Sequence, residues 1–135
     1  MRQLVLDTNV LVSGLLSPRN APGRIIDTLR TEQIQIVLDD RIFLEYGEVL
    51  RRPKFERYIQ PEEREWMLDY IFHSARRVTA TCHVTDLPDP YDACFLEVAS
   101  TAEVTLVTGN LKHFPKHQRR KVEVLSPAEF IEKGI

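Results

Sequence analysis

The chain opens with Leu4-Val5-Leu6, an apolar, β-prone run too short for a helix, which predicts a strand buried on both faces. Three polar residues, Asp7-Thr8-Asn9, end it abruptly. Val10, Leu11, Leu15 and Leu16 then return at helical rather than alternating spacing. The opening unit therefore reads as strand, polar turn, helix, with a carboxylate at the carboxyl end of the strand. After a turn-rich loop over 17–23, Ile25, Ile26 and Leu29 mark a second helix, and Gln33 to Leu38 a second strand. Asp39-Asp40 ends that strand and can cap a helix from Arg41 to Arg52, whose apolar arc is Ile42, Phe43, Tyr46, Val49 and Leu50. Pro53 stops it.

Pro61-Glu62-Glu63 is a helix start, with proline at the first position and acids in the first turn, and the helix runs to about Ala75. Val78 to Val84 alternates loosely and predicts a third strand. The loop Asp86 to Asp92 leads into a helix over Tyr91 to Ala99, followed by strands at Val104–Val107 and Val122–Leu125. Ser126-Pro127-Ala128-Glu129 is a capping-box pattern opening a last short helix. Strands alternating with helices predict one α/β domain over residues 1–135. About five mostly parallel strands would lie between two helical layers, in an α/β/α arrangement whose strand order the pattern does not give.

Composition changes this picture little. A hydrophobic share of 43% and a charged share of 28% are ordinary for a folded domain. No apolar run reaches membrane-span length and no signal peptide opens the sequence, so a cytoplasmic protein is expected. Cys82 and Cys94 fit no metal or redox spacing. A net charge of −2 argues against coating nucleic acid through bulk positive field. The positive charge is nevertheless uneven. Lys112, Lys116, Arg119, Arg120 and Lys121 fall within ten residues that hold no acid, and are placed to grip nucleic-acid phosphates. Arg51, Arg52, Lys54 and Arg57 read as a solvated face.

The candidate chemistry is acidic. At about 100° per residue, Asp92 falls in the middle of the stripe made by Phe95, Leu96 and Ala99, an unusual place for a charge. Asp89 reads as the N-cap of that helix, with Pro90 at its first position. Glu45 sits at the border of its helix's apolar arc, and Glu48 further toward solvent. Were the first and fourth strands adjacent and parallel, Asp7 and Asn110 would lie side by side at one sheet edge. Plain structural roles stand beside each: Asp7 as a helix cap, Gly109-Asn110 as a tight turn. Gathered together, these carboxylates could stay ionised only beside a cation, and Mg²⁺ or Mn²⁺ suits an all-oxygen shell. With no His or Cys placed to replace the carboxylates, zinc is not expected.

The runs LVLDTNVLVSGLL, EYGEVLRRPKF, DPYDACFLEVA and VTLVTGNLKHFP resemble the PIN domain, and more closely its members assigned as toxins of toxin–antitoxin pairs. The resemblance implies a PIN-like, Rossmann-like fold and a Mg²⁺- or Mn²⁺-dependent ribonuclease. It also implies a homodimer held inactive by an antitoxin. Asp7, Glu45 and Asp92 match the family's first three acidic positions. The fourth is Asn110, and His113 stands where the toxin members carry a further Asp. In the roles so implied, Asp7 and Asp92 hold the ion, and Glu45 ligates through water or orients the attacking water. Thr8, Asn9, Thr108, Asp89 and Asn110 keep carboxylates and waters in place. Two other readings remain open. One is a PIN-like scaffold that only binds RNA or a protein partner, supported by Asn110 and His113. The other is a phosphoryl-transfer domain using Asp7 as nucleophile, which would want an acid where Asn9 stands.

Overall fold

The computed structural model describes residues 1–134. Five parallel strands form one sheet in the order β3-β2-β1-β4-β5: β1 (Arg2–Leu6), β2 (Ile34–Leu38), β3 (Arg76–Arg77), β4 (Thr105–Val107) and β5 (Val124–Leu125). The chain steps outward from β1 to β2 to β3 through α1 (Thr8–Leu16), α2 (Ala21–Arg30), α3 (Asp40–Leu50) and α4 (Pro61–Ser74). It then returns through α5 (Ala93–Ala102) to β4 on the other side of β1, and α6 (Pro127–Glu132) follows β5. Right-handed crossovers put α5 on the face opposite the earlier helices. The strand order reverses between β1 and β4, and the crevice outside the carboxyl ends at such a reversal is where open α/β sheets bind ligands.

Burial follows the pattern. Leu4, Val5 and Leu6 of β1 are fully enclosed, as are Val37 and Leu38 of β2 and Leu106 and Val107 of β4. Phe95, Leu96 and Val98 of α5 seal one face, while Tyr46, Ile42, Met67 and Ile71 seal the other. The capping box at Ser126 and Glu129 forms with both of its hydrogen bonds, at 2.9 and 3.1 Å.

The third strand differs from expectation. Only Arg76–Arg77 joins the sheet, opposite Val37 and Leu38, and one further amide, Val78 N, donates to Leu38 O at 3.0 Å. Residues 79–84 form no strand, and side chains of α5 take two of their amides instead. Thr81 N donates to Thr101 Oγ1 and Val84 N to the Glu97 carboxylate, at 3.0 and 2.9 Å.

Helices α1 and α2 touch closely at Gly14. A methyl group there would lie 2.7 Å from the Pro22 carbonyl oxygen and press into Ile26. Alanine would gain about 1 kcal/mol of helix propensity over glycine, but overpacking against fixed backbone costs about 1–3 kcal/mol. Gly14→Ala is therefore expected to lower stability by about 1 kcal/mol net in a urea titration; a more stable variant would show that the two helices can separate freely.

Candidate active site

Asp7 and Thr108 follow directly from the registered pair Leu6 and Val107 at the reversal of strand order. β1 and β4 stay joined past their ends, Asp7 N donating to Val107 O, and Thr108 N likewise extends the pairing of β4 with β5 by donating to Leu125 O. The Asp7 carboxylate is 5% exposed. It opens α1 by position but accepts no capping hydrogen bond. It accepts instead from the Thr108 hydroxyl at 2.7 Å, so a cap alone does not account for its type. Beneath it, the enclosed Tyr46 hydroxyl donates to the Leu6 carbonyl. Asn9 ties the two loops together, its Oδ1 accepting from Gly109 N at 3.2 Å.

Glu45 reaches the same place from α3. It is half-buried where Glu48 is exposed, and it accepts from the hydroxyl of Thr8. Asp92 comes from the other side, at the end of a single 3-10 turn (Pro90–Asp92) that opens α5. Asp89 caps that turn, accepting from Tyr91 N at 3.0 Å. The Asp92 side chain is 14% exposed, and its Oδ2 is enclosed without a hydrogen-bond partner. His113 Nδ1 lies 2.8 Å from that oxygen, at ion-pair distance. His113 was outside the ligand set expected from sequence; the structure places it at the centre of the cluster. Ligand atoms of Asp89, Asp92 and His113 lie within 4.8 Å of one another. Asn110, half-buried, sits behind the ring, its Nδ2 2.9 Å from His113 Nε2.

The electrostatics match this crowding. Burial raises the Asp7 pKa above the usual carboxylate range, against the Thr108 hydrogen bond and the nearby Asn9 amide, and the charge of Glu45 adds to the rise. Asp92 is pushed up to about 6, first by burial and then by the charge of Asp7, with His113 pulling the other way. Among the described residues no arginine or lysine pairs with Asp7, Glu45 or Asp92. Arg41 is spent elsewhere, on Asp39 and Glu97 at 2.7 and 2.8 Å. Burial pushes the neighbouring Cys94 thiol up to about 12, which leaves it no nucleophile.

Glu97 escaped prediction from the sequence. It is 3% exposed and bonds Arg41 and Val84 N. Its signal was present, a charge within the otherwise apolar stretch from Phe95 to Ala99. A cleft of about 610 Å³ surrounds this pair rather than the acidic site. A groove of about 360 Å³ between α3 and the Pro90 turn leads to Glu45.

The basic run divides. Lys112 and Lys116 are exposed on the loop that carries His113. Arg119 instead donates to the Phe114 carbonyl at 2.7 Å, and Arg120 bonds Asp86 at 2.9 Å. Arg120 and Lys121 line a separate pocket beside Thr105, at the amino end of β4 and away from the carboxylates. In the second group, Arg51 pairs with Glu65 and Arg52 with Glu48.

The family model for the PIN domain matches residues 3–112, a span that holds Asp7, Glu45, Asp92 and Asn110 and stops one residue before His113. The chain belongs to the PIN domain family. An uncharacterized protein of Methanocaldococcus jannaschii is 27% identical over 140 residues, covering 97% of this chain and 90% of the relative. Among solved structures, the PIN domain here resembles VapBC2 from Rickettsia felis bound to a DNA fragment from their promoter. That match has a TM-score of 0.59 and 16% identity, and covers 92% of this chain and 98% of the other. At that identity the likeness bears on the fold.

Proposed function

We propose that this PIN domain is a divalent-metal-dependent endoribonuclease of the cytoplasm, the toxin of a toxin–antitoxin pair, acting as a homodimer. The observation that carries the reading is the gathering of Asp7, Glu45 and Asp92 at the strand-order reversal with no guanidinium or ammonium to neutralise them. Family membership and the fold likeness to VapBC2 support the same class. The donors present fit a hard divalent ion such as Mg²⁺ or Mn²⁺. The charge of Glu45 acts on Asp7 and that of Asp7 on Asp92, and one buried oxygen of Asp92 lacks any hydrogen-bond partner. Asp7 and Asp92 would hold the ion directly, with Glu45 beside them. When bound, such an ion supplies an acidified water and positive charge against a phosphodiester in in-line attack.

The chain's own groups set the geometry. Thr108 fixes Asp7 and Thr8 fixes Glu45, so each carboxylate presents its remaining lone pairs inward. Tyr46 and the enclosed ends of β1 and β4 exclude water from beneath. Lys112 and Lys116 meet the RNA backbone at the rim. Replacing both lysines with glutamine is expected to weaken binding of single-stranded RNA and to flatten its salt dependence. The log–log slope should fall by about 0.7 for each phosphate no longer neutralised. An unchanged slope would return this loop to ordinary surface.

The competing scaffold reading draws on Asn110 and His113, which stand where acids would complete the site. Cleavage of a labelled single-stranded RNA in Mg²⁺ or Mn²⁺, abolished by chelation, decides for the nuclease. Binding of RNA with no cleavage in either metal would decide for the scaffold.

A further inference from the structure

We propose that the site has two unlike metal positions sharing Asp92: an oxygen position with Asp7, and a nitrogen-containing position formed by Asp89, Asp92 and His113 that prefers ions such as Co²⁺ or Zn²⁺ over Mg²⁺. The inference rests on the reading that this sheet edge holds divalent cations, and it assigns which ions the second position takes. Two donors bound to one ion at about 2.0–2.2 Å lie roughly 3 Å apart. His113 Nδ1 and Asp92 Oδ2 already stand at 2.8 Å, and that oxygen has no other partner. Asp89 spends one oxygen on Tyr91 N and brings a carboxylate oxygen within 4.8 Å of both. Imidazole suits Zn²⁺ and neighbouring transition ions, whereas carboxylate and water alone suit Mg²⁺.

Asn110 then has a different role from that of a missing fourth acid: it positions His113. With its Nδ2 end toward the ring, as in the structure, the amide donates to Nε2 and leaves the imidazole proton on Nδ1, beside Asp92. Turned by 180° about its terminal bond, the amide offers Oδ1 to an Nε2–H instead. The single ring proton then sits on Nε2, and the Nδ1 lone pair faces Asp92 and Asp89. No proton enters or leaves; one tautomer replaces the other. Metal-bound histidines are commonly held in this way by an acceptor on the far nitrogen. Asn110 and His113 thus act as one exchange, an amide and an imidazole in place of two acids.

The test is calorimetric titration of the metal-free protein with Co²⁺ and Mg²⁺, together with imidazole ¹⁵N resonances of His113 under Zn²⁺. His113→Ala should weaken Co²⁺ binding about 100-fold and Mg²⁺ binding less than about twofold. Asn110→Ala should weaken Co²⁺ about tenfold in the native background and not at all when His113 is alanine. Zn²⁺ should move the His113 Nδ1 resonance and leave Nε2 protonated. Equal Co²⁺ affinity in the native protein and His113→Ala, or unmoved ring resonances, would overturn the proposal. The two readings separate cleanly. Mg²⁺ binding lost in Asp7→Asn but indifferent to His113, with no Co²⁺ preference, would sink the mixed position alone. Co²⁺ binding at His113 without any metal-dependent RNA cleavage would sink the nuclease alone.

Discussion

Asp7→Asn and Asp92→Asn are each expected to reduce metal-dependent RNA cleavage by at least about 100-fold, measured as single-turnover rates on a labelled single-stranded RNA. The substitution is close to isosteric. In Asp7→Asn the amide oxygen can still accept from Thr108, so the ends of β1 and β4 keep their bond. What disappears is one negative charge facing the ion. Since Asp7 is buried and its charged form is disfavoured there, a neutral amide should leave the fold at least as stable as before. Lost activity with retained stability is the signature of a group kept for chemistry. Glu48→Gln, exposed on the same helix as Glu45, is the matched control and should cleave at the native rate. Native-rate cleavage by Asp7→Asn would remove the carboxylate site from the mechanism.

Most of the fold was legible because parallel strands enclosed on both faces must be apolar throughout. Leu4-Val5-Leu6 and Ile36-Val37-Leu38 could not have been anything else in a chain of this composition. The helix starts at Pro61 and Ser126 were legible because proline and capping boxes act locally. The third strand was misplaced for a nonlocal reason. Thr79 to Val84 carries strand-like residue types, yet its amides are taken by Thr101 and Glu97, more than ten residues onward. Strand order was hidden as well, since it depends on which crossover returns across the sheet.

The site was legible in its acids and not in its partners. Asp92 on an apolar stripe and Glu45 at an arc border are visible from helical periodicity, and both reach the crevice. His113 and Arg119 were not separable in the same way. Both lie on a loop of short 3-10 turns, where no period says which side chain turns inward. His113 turns to Asp92, while Arg119 is spent on the Phe114 carbonyl. Arg120, at a positive φ of 55°, is spent on Asp86.

The metal-free protein should be less stable at pH 7.5 than its Asp92→Asn variant, and the difference should shrink to almost nothing by about pH 3. Asp92 titrates near 6 in the folded chain against an ordinary value of 3.8, so the native state holds its proton more tightly than the unfolded state. About a unit below 3.8 both states are protonated and the displaced pKa costs nothing. As pH rises through 6, the native carboxyl must ionise beside Asp7 in a poorly solvated place, and stability falls. A pKa displaced that far would be worth about 3 kcal/mol in full; solvent reach to the group discounts this to about 1–2 kcal/mol. That corresponds to roughly 3–8 °C in Tm for a domain of this size. Groups such as Glu65, held near 2 by Arg51 and Arg64, titrate identically in both proteins and cancel in the comparison. A divalent ion should reverse the order. At about 100 times its Kd, Mn²⁺ adds about 2.7 kcal/mol to the native protein, enough to exceed the ionisation cost it relieves. The variant, lacking the shared carboxylate, should gain far less. Thermal melts at pH 3, 6 and 7.5, with and without Mn²⁺, resolve both effects. A variant no more stable than the native protein at pH 7.5, or a gain that ignores pH, would mean that Asp92 is already neutralised by His113.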